Sequence, residues 1–306
     1  MPLKNLYEAQ QLSKEIIFSL FKDADDLRTH PEAHKEDLKG KIAATLFYEP
    51  STRTRLSFET AMMKLGGNVV STENAKEFSS AIKGESLQDT IRVISAYCDC
   101  IIMRHYEEGA AKIASEVTEK PIINAGDGKG QHPTQALLDL YTVYREIGKI
   151  DEIKIALVGD LSNGRTVRSL CYLLGKFSDI EVIFVSPDNL RIKVDIKDYL
   201  MKHDIKFREE NNLNSVLPIV DVIYMTRIQK ERIGQEDYEK ASGKFFINES
   251  NFNLIPKKSI VLHPLPHVDE IDLSIQIESE DSRVAYFRQV ENGLYIRMAL
   301  LRHLLL

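Results

Sequence analysis

The stretch Ser51–Arg55 places three hydroxyl groups and two guanidinium groups between an apolar run and an amphipathic segment. The apolar run at residues 42–48 predicts a buried strand, and the helical spacing of apolar residues from Phe58 to Leu65 predicts a helix. A helix that follows a strand through such a loop directs its first N–H groups and the positive end of its dipole at one point. Because Arg53 can grip an anion in a bidentate manner and the hydroxyls add donors, this junction predicts a phosphate-binding site without P-loop glycines.

A capped helix start with solvated arginines is the alternative for the same residues. Serine is a common N-cap, which would account for Ser51. Arg55 has Glu59 one helical turn further on as an ion-pair partner. The whole group of five residues at a strand–helix junction favours the anion site.

Other residues able to bind anions follow further apolar segments. Arg104 follows the second predicted strand, and His132 follows the loop after the third. In the second half, Arg165, Arg227 and the pair Leu265-Pro266 follow predicted strands in the same way. Ligands of open α/β sheets bind beyond the carboxyl ends of the strands, so the sequence predicts a convergent site for two anionic groups.

His132 has two interpretations. A lone histidine at a helix start commonly caps the helix or packs against it. Here His132 precedes Pro133 and lies three residues before Gln135, after a glycine-rich segment. That spacing brings a ring N–H and a side-chain amide to one helix mouth, where they can grip a polarised carbonyl group.

Strand and helix patterns alternate through both halves of the chain, which predicts an α/β fold with two doubly wound parallel-sheet domains joined by long helices. The predicted domains are residues 1–134 with the C-terminal helix 288–306, and residues 135–287. The helix from Pro133 to Ile147 is the predicted connector, and residues 293–306 form a final packing helix. The polar stretch 71–86 has no strong periodicity, and we expect a functional loop there.

Composition excludes several classes of function. The 306 residues carry a formal net charge of −6, which argues against a nucleic-acid surface and favours a small anionic substrate bound by local cations. Three cysteines without metal-site spacing and no GxGxxG fingerprint predict neither metal nor dinucleotide, so no cofactor is expected. No signal peptide or membrane-spanning run is evident, and we expect a cytoplasmic chain without membrane contacts.

Three motifs in order resemble the signatures of the aspartate/ornithine carbamoyltransferases over nearly the whole chain. They are Ser-Thr-Arg-Thr-Arg at 51–55, His-Pro-Thr-Gln at 132–135 and His-Pro-Leu-Pro at 263–266. Ornithine enzymes of the family typically carry cysteine where this chain has Pro264. The segment 224–229 also resembles the part of the family that binds aspartate. The resemblance implies transfer of a carbamoyl group from carbamoyl phosphate to the amino group of L-aspartate, in de novo pyrimidine biosynthesis.

The resemblance also assigns roles to matching positions. It implies that the phosphate is bound by Ser51, Thr52, Arg53, Thr54 and Arg104. It implies that the carbonyl oxygen is polarised by Thr54, Arg104 and His132, and that the carbamoyl NH2 is held by Gln135 and the backbone carbonyls of Leu265 and Pro266. The implied ligands of the aspartate carboxylates are Arg165, Arg227, Gln229 and Lys83. Lys83, also expected to be catalytic, and Ser79 would come from a neighbouring subunit of a homotrimer.

Partners, acceptor and regulation keep alternatives at this stage. Some relatives pair catalytic trimers with a separate zinc-containing regulatory chain under allosteric control, and this chain has no such cysteine cluster of its own. Ornithine or another amine is the alternative acceptor, and a non-catalytic scaffold chain of the same fold is the alternative class. One position departs from the family pattern, because His267 stands where an arginine is expected.

Overall fold

The computed structural model describes residues 3–75, 84–228 and 245–306. Two compact units divide the chain: Met1–Leu138 with Glu291–Leu306 form unit 1, and Asp139–Val290 form unit 2. The divisions fall within two helices, Pro133–Ile147 and Tyr286–Leu305. The sequence predicts the boundaries in the same helices, at 134 and 287.

Unit 1 contains a four-stranded parallel sheet with the strand order β2-β1-β3-β4. Its strands are β1 (Ile42–Phe47), β2 (Asn68–Glu73), β3 (Cys100–His105) and β4 (Ile122–Asp127). Its helices are α1 (Lys14–Thr29), α2 (Thr52–Lys64), α3 (Leu87–Ser95), α4 (Ala110–Ser115) and the start of α5 (Pro133–Ile147), with short 3-10 turns at Ala9–Gln11 and Pro31–His34.

Unit 2 contains a five-stranded parallel sheet with the order β10-β8-β5-β6-β7, and a two-stranded sheet of β9 and β11. The strands are β5 (Lys154–Val158), β6 (Glu181–Val185), β7 (Lys206–Glu210), β8 (Val222–Met225), β9 (Ile247–Asn248), β10 (Ile260–Leu262) and β11 (Ile271–Asp272). The helices are α6 (Arg165–Leu174), α7 (Val194–Lys202), α8 (Leu213–Val216), α9 (Glu249–Phe252), α10 (Ile275–Glu280) and the start of α11 (Tyr286–Leu305), with 3-10 turns at Asp188–Leu190 and Leu217–Ile219; α11 continues into unit 1 from Glu291.

Apolar runs become central strands because helices cover both faces of a parallel sheet. In β1 every residue after Ile42 is buried, and in β5 every residue after Lys154 is buried. Val158, Ile183 and Ile223 belong to one buried cluster of unit 2. This packing holds the carboxyl ends of the strands, and the loops that leave them, in place.

These observations confirm the predicted fold class of two parallel-sheet α/β domains. The helix over Pro133–Ile147 begins and ends at the predicted residues. The C-terminal helix begins at Tyr286, two residues before the predicted helix 288–306 and seven before the predicted packing segment 293–306. The sequence patterns missed helix α7 and the edge strand β7. None of the described helices is long and apolar enough to cross a membrane.

The polar stretch 71–86 departs from the prediction at its start. Residues 71–73 complete strand β2, which pairs with β1 through Leu46↔Thr72. β2 lies at the edge of the sheet and none of its residues is fully buried. Because the strand lacks a buried face, its sequence carries no apolar alternation, and this explains the error.

Candidate active site

The junction between β1 and α2 brings the first motif together with Arg104. In the parallel pairing of β1 with β3, Phe47 lies opposite Arg104, and the Tyr48 N–H donates to the Arg104 carbonyl at 2.8 Å. The Arg104 guanidinium lies 3.4 Å from Ser51 Oγ and can donate to it through Nη1. Two segments 53 residues apart in the chain therefore meet at the carboxyl ends of β1 and β3.

Ser51 is the N-cap residue of α2, but its side chain makes no capping hydrogen bond. The first N–H groups of this helix, on Thr52, Arg53 and Thr54, have no intrahelical acceptor. Thr54 is buried, whereas Thr52 and Arg53 are exposed. The helix start thus presents unsatisfied donors beside the hydroxyl of Ser51, an arrangement suited to an anion.

The two arginines of the motif have different environments. Arg55 donates to Glu59 at 3.2 Å, to Glu73 at 3.0 Å and to Ser71 Oγ at 3.1 Å, so the predicted alternative of a Glu59 pair is confirmed for this residue. Arg53 makes no hydrogen bond or ion pair with any of the residues that the structure describes. Arg55 therefore fastens helix α2 to strand β2, and Arg53 is available for a ligand.

A carboxylate lies beside Arg104, and aromatic rings flank the next residue, His105. Glu49 Oε2 lies 3.5 Å from Arg104 Nε. Its neighbour His105 is buried between the rings of Tyr48 and Tyr106, with centroid distances of 4.5 and 4.3 Å. Burial lowers the pKa of His105, although the charges of Glu107, Glu49 and other acids oppose the effect. His105 Nδ1 accepts the Glu107 N–H at 3.0 Å, which requires an unprotonated Nδ1 and orders the loop after β3.

The second motif begins helix α5. The His132 carbonyl accepts the N–H groups of Gln135 and Ala136, so His132 stands at the helix start. Both His132 and Gln135 are buried, and His132 Nδ1 lies 3.3 Å from Thr134 Oγ1. Asp127 shapes the preceding loop, because its carboxylate accepts the N–H groups of Gly109 and Gln131 at 2.8 Å each.

In unit 2 the predicted arginines follow two neighbouring strands. Arg165 is the first residue of α6, after β5, and Arg227 lies two residues after the end of β8. The strands are joined beyond their carboxyl ends, where the Thr226 N–H and hydroxyl both donate to the Val158 carbonyl at 2.8 and 2.7 Å. Both arginines are half-buried. The same sheet edge therefore carries both.

The third motif follows β10, the strand beside β8. Leu265 has a φ of +56°, and the Leu265–Pro266 peptide is cis. His263 is buried and contacts Glu270 at 2.9 Å, while Leu265 is half-buried and Pro266 exposed. His267, at the position of the expected arginine, lies 3.3 Å from the Glu278 carboxylate and packs edge-on against Tyr286.

Three predicted site residues, Ser79, Lys83 and Gln229, lie outside the described residues. The others fall into two groups at strand ends. Unit 1 groups Ser51, Thr52, Arg53, Thr54 and Arg104 at one junction and holds His132 and Gln135 at the start of α5, while unit 2 holds Arg165, Arg227, Leu265 and Pro266. Glu270 was not among the predicted site residues. An isolated carboxylate carries no spacing signal, so only its contact with His263 reveals it.

Comparison with known proteins gives the family. The model of the carbamoyl-P binding domain of aspartate/ornithine carbamoyltransferases matches residues 4–145, and that of the Asp/Orn binding domain matches residues 151–304. "Aspartate carbamoyltransferase 3, chloroplastic" from Pisum sativum is 54% identical over 309 residues, covering 99% of this chain and 78% of that protein.

Two solved structures extend the similarity to the fold. The catalytic subunit of Methanocaldococcus jannaschii aspartate transcarbamoylase superimposes with a TM-score of 0.90 at 50% identity, covering 99% of this chain and 98% of that one. Aspartate transcarbamoylase from Trypanosoma cruzi, in complex with N-(phosphonacetyl)-L-aspartic acid, gives 0.92 at 39% identity, covering 99% and 96%. The chain belongs to the aspartate/ornithine carbamoyltransferase family.

Proposed function

We propose that this chain transfers the carbamoyl group of carbamoyl phosphate to the amino group of L-aspartate, giving N-carbamoyl-L-aspartate and phosphate. The observation that carries the proposal is the exposed, unpaired Arg53 at the start of α2, with Arg104 and Ser51 beside it. The acceptor is supported by relatives, because the pea protein is named for aspartate and the Trypanosoma cruzi enzyme binds a phosphonacetyl derivative of aspartate.

Phosphate binding is the first task of the site. The N–H groups that open α2 and the positive end of its dipole attract the phosphate dianion. Arg53 and Arg104 neutralise its charge, and the hydroxyls of Ser51, Thr52 and Thr54 complete the grip. In this proposal unit 1 is the carbamoyl-phosphate-binding domain.

Polarisation of the carbonyl group follows from the same residues. Thr54, Arg104 and His132 donate to the carbonyl oxygen and stabilise the negative charge that develops there when the amine attacks. The nitrogen lone pair forms a bond to the carbonyl carbon, and the bond from that carbon to the phosphate oxygen then breaks, its electron pair leaving with phosphate. The proton lost by the amine passes to the departing phosphate, so the step requires no protein base.

Orientation of the two substrates is the remaining task. Gln135 and the backbone carbonyls of Leu265 and Pro266 hold the carbamoyl NH2, while Arg165 and Arg227, with Gln229 and Lys83, bind the carboxylates of aspartate. Since both substrates are anionic, the arginines and the lysine of the site offset their mutual repulsion. Correct orientation of the two substrates lowers the barrier further. Unit 2 is the aspartate-binding domain in this proposal.

The proposal also covers the assembly of the chain and its location in the cell. We infer a homotrimer in which Ser79 and Lys83 complete the site of a neighbouring subunit, with allosteric control through a separate zinc-containing regulatory chain. The place in the cell is inferred to be the cytoplasm and the pathway pyrimidine synthesis, although the pea relative is named as chloroplastic.

A direct assay tests the reaction and the acceptor together. The purified chain is incubated with carbamoyl phosphate and either L-aspartate or L-ornithine, and the ureido product is measured. We expect product from aspartate alone, because Arg227 is a second cationic clamp that a cationic acceptor would not favour. Product from ornithine would overturn the choice of acceptor, and no product from either would contradict catalysis by the chain on its own.

A further inference from the structure

The ring of His263 makes two buried hydrogen bonds that require one protonation state. Its Nδ1 accepts the backbone N–H of Leu265 at 2.7 Å, and its Nε2 lies 2.9 Å from Glu270 Oε1. A carboxylate cannot donate, so Nε2 carries the proton, and Nδ1 must be bare to accept from an amide. His263 is therefore the neutral Nε2–H tautomer.

Glu270 is ionised and serves as the partner that selects this tautomer. Burial raises the pKa of Glu270, whereas the hydrogen bond from His263 and those from the backbone N–H groups of Glu270 and Val268 lower it, and the net shift is downward. The Val268 N–H also donates to Glu270 Oε1, at 3.2 Å. The loop from His263 to Glu270 is thus closed on itself through one carboxylate.

A second set of buried bonds fixes the backbone of His263. Its N–H donates to Gln289 Oε1 at 2.9 Å, and Gln289 Nε2 donates to Asp139 Oδ1. The other oxygen of Asp139 accepts the hydroxyl of Tyr224 at 2.7 Å. All of these side chains are at most 2% exposed. Buried polar groups that satisfy one another in this way resist displacement, because breaking any bond leaves an unpaired group away from water.

This network joins two proposed parts of the substrate site. Tyr224 pairs with Leu262 in the register of β8 and β10, and Arg227 and Leu265 each lie three residues further along their strands. The backbone of Leu265 has a left-handed φ of +56°, a conformation that leucine adopts only when its surroundings impose it. The bond from its N–H to His263 is a local contact that helps to hold this conformation.

We propose that His263 is a positioning residue for carbamoyl transfer: by accepting the Leu265 N–H it holds the Pro264–Leu265 peptide and thereby helps to place the following peptide group, whose Leu265 carbonyl is the acceptor for the carbamoyl NH2. The inference rests on the proposed function of this site. It assigns His263 no contact with substrate and no proton transfer. Its effect on the reaction passes through the backbone of Leu265, from the peptide that His263 holds to the next one.

Two substitutions separate the two bonds of the ring. In His263→Asn, Oδ1 takes the place of Nδ1 and keeps the acceptor for Leu265, but the donor to Glu270 is lost. In His263→Gln, Nε2 keeps the donor to Glu270, but the acceptor for Leu265 is lost. We expect His263→Asn to retain kcat within about threefold of the wild type and His263→Gln to lose about tenfold or more, in line with an unpaired buried amide.

A binding comparison adds a readout that a purely structural role would not change. His263→Gln is expected to weaken carbamoyl phosphate binding about tenfold while leaving inorganic phosphate binding unchanged, because only carbamoyl phosphate has an NH2 for the Leu265 carbonyl. Ser259→Ala is the matched control. It removes a buried hydrogen bond of 2.6 Å to the Val220 carbonyl at the opposite end of β10, and it should lower stability without changing either affinity.

The outcomes distinguish this inference from the proposed function. If the wild-type chain makes no ureido product from aspartate, the proposed function fails. If the wild type is active but the two variants lose activity equally, or His263→Gln is the more active, the positioning role is overturned. Should neither variant fold, nitrogen-15 NMR of the wild-type imidazole decides: the neutral Nε2–H form at neutral pH supports the role, and a cationic ring contradicts it.

Discussion

At the scale of single residues, Arg53 and Arg55 belong to one helix but have different roles: Arg55 forms ion pairs within the protein, and Arg53 is proposed to bind phosphate. Arg55 is fastened to Glu59 and Glu73, whereas Arg53 points to solvent beside the helix start and pairs with nothing in the described part of the chain. An exposed cation beside unsatisfied N–H donors is hydrated in the free protein, and together with the positive end of the helix dipole it attracts an anion.

Arg53→Ala should therefore reduce activity without reducing stability. We expect the KM for carbamoyl phosphate to rise or kcat to fall by roughly tenfold to a hundredfold, the value of a charge-assisted hydrogen bond to phosphate of about 1.5–3 kcal/mol. Steady-state kinetics and thermal unfolding measure the two effects. Arg55→Ala is the control, with a lower unfolding temperature and a smaller kinetic effect. The opposite pattern would transfer the phosphate role to Arg55.

His105 makes stability depend on pH. Because burial places its folded-state pKa below the ordinary value of about 6.5, the unfolded chain binds the proton first as pH falls. The neutral ring thus contributes stability that is complete above that ordinary value and is lost as pH falls through the folded-state pKa.

The variant His105→Asn tests this effect, because asparagine keeps an acceptor for the Glu107 N–H and does not titrate. Between about pH 7 and about pH 5, we expect the unfolding midpoint of the wild type to fall further than that of the variant. Equal pH slopes for the two proteins would show that His105 does not titrate in this range.

At the scale of elements, the segments that follow strands β5 and β8 approach each other so closely that only glycine fits at position 159. Gly159 has a φ of +112°, and a Cβ atom there would lie 2.2 Å from the Thr226 carbonyl oxygen. Thr226 immediately precedes Arg227, the residue proposed to bind a carboxylate of aspartate. The contact between Gly159 and Thr226 therefore sets the position at which Arg227 follows strand β8.

Gly159→Ala should consequently affect both folding and aspartate binding. We expect a loss of about 2 kcal/mol or more in the free energy of unfolding, from the backbone conformation and the overlap together. Displacement of Thr226 should also raise the KM for aspartate. Denaturant unfolding and steady-state kinetics give the two quantities.

Gly148→Ala is the matched control for the backbone term. Gly148 has a φ of +83°, and a Cβ there would meet nothing within 4 Å. We expect a cost of about 1–2 kcal/mol and no change in the KM for aspartate. If both variants changed that KM equally, the contact between Gly159 and Thr226 would not be its cause.

At the scale of the whole molecule, the proposed trimer with shared sites makes a quantitative prediction. A variant with Arg53→Ala and a second variant with Lys83→Ala are each expected to lose most of their activity when assayed alone. In mixed trimers, a site that takes Arg53 from one subunit and Lys83 from the next is intact with a probability of about one quarter at equal proportions.

Mixing the two variants under conditions that allow subunit exchange should therefore restore about a quarter of the wild-type activity. The two variants assayed together without exchange are the control and should show only the low activity that each has alone. No recovery after verified exchange would place both residues in the site of one subunit.

Much of this protein follows from local patterns in the sequence. The apolar run before Ser51 and the helical spacing after it predict a strand, a loop and a helix, because the period of apolar residues depends on the local backbone alone. Order along the chain then assigns Arg104, Arg165 and Arg227 to strand ends, and the carboxyl ends of parallel strands meet at one edge. Fold class and family were therefore predictable from the residues in sequence.

Tertiary structure decided which groups are paired. It paired Arg55 with acidic residues but not Arg53. It also brought Arg104 to Ser51 and placed the polar residues 71–73 in an edge strand. It also joined His263 to Gln289 and Asp139, which lie far apart in the chain. The physical reason is that a hydrogen bond depends on distances of about 3 Å set by sheet register and packing, and no short sequence period encodes these.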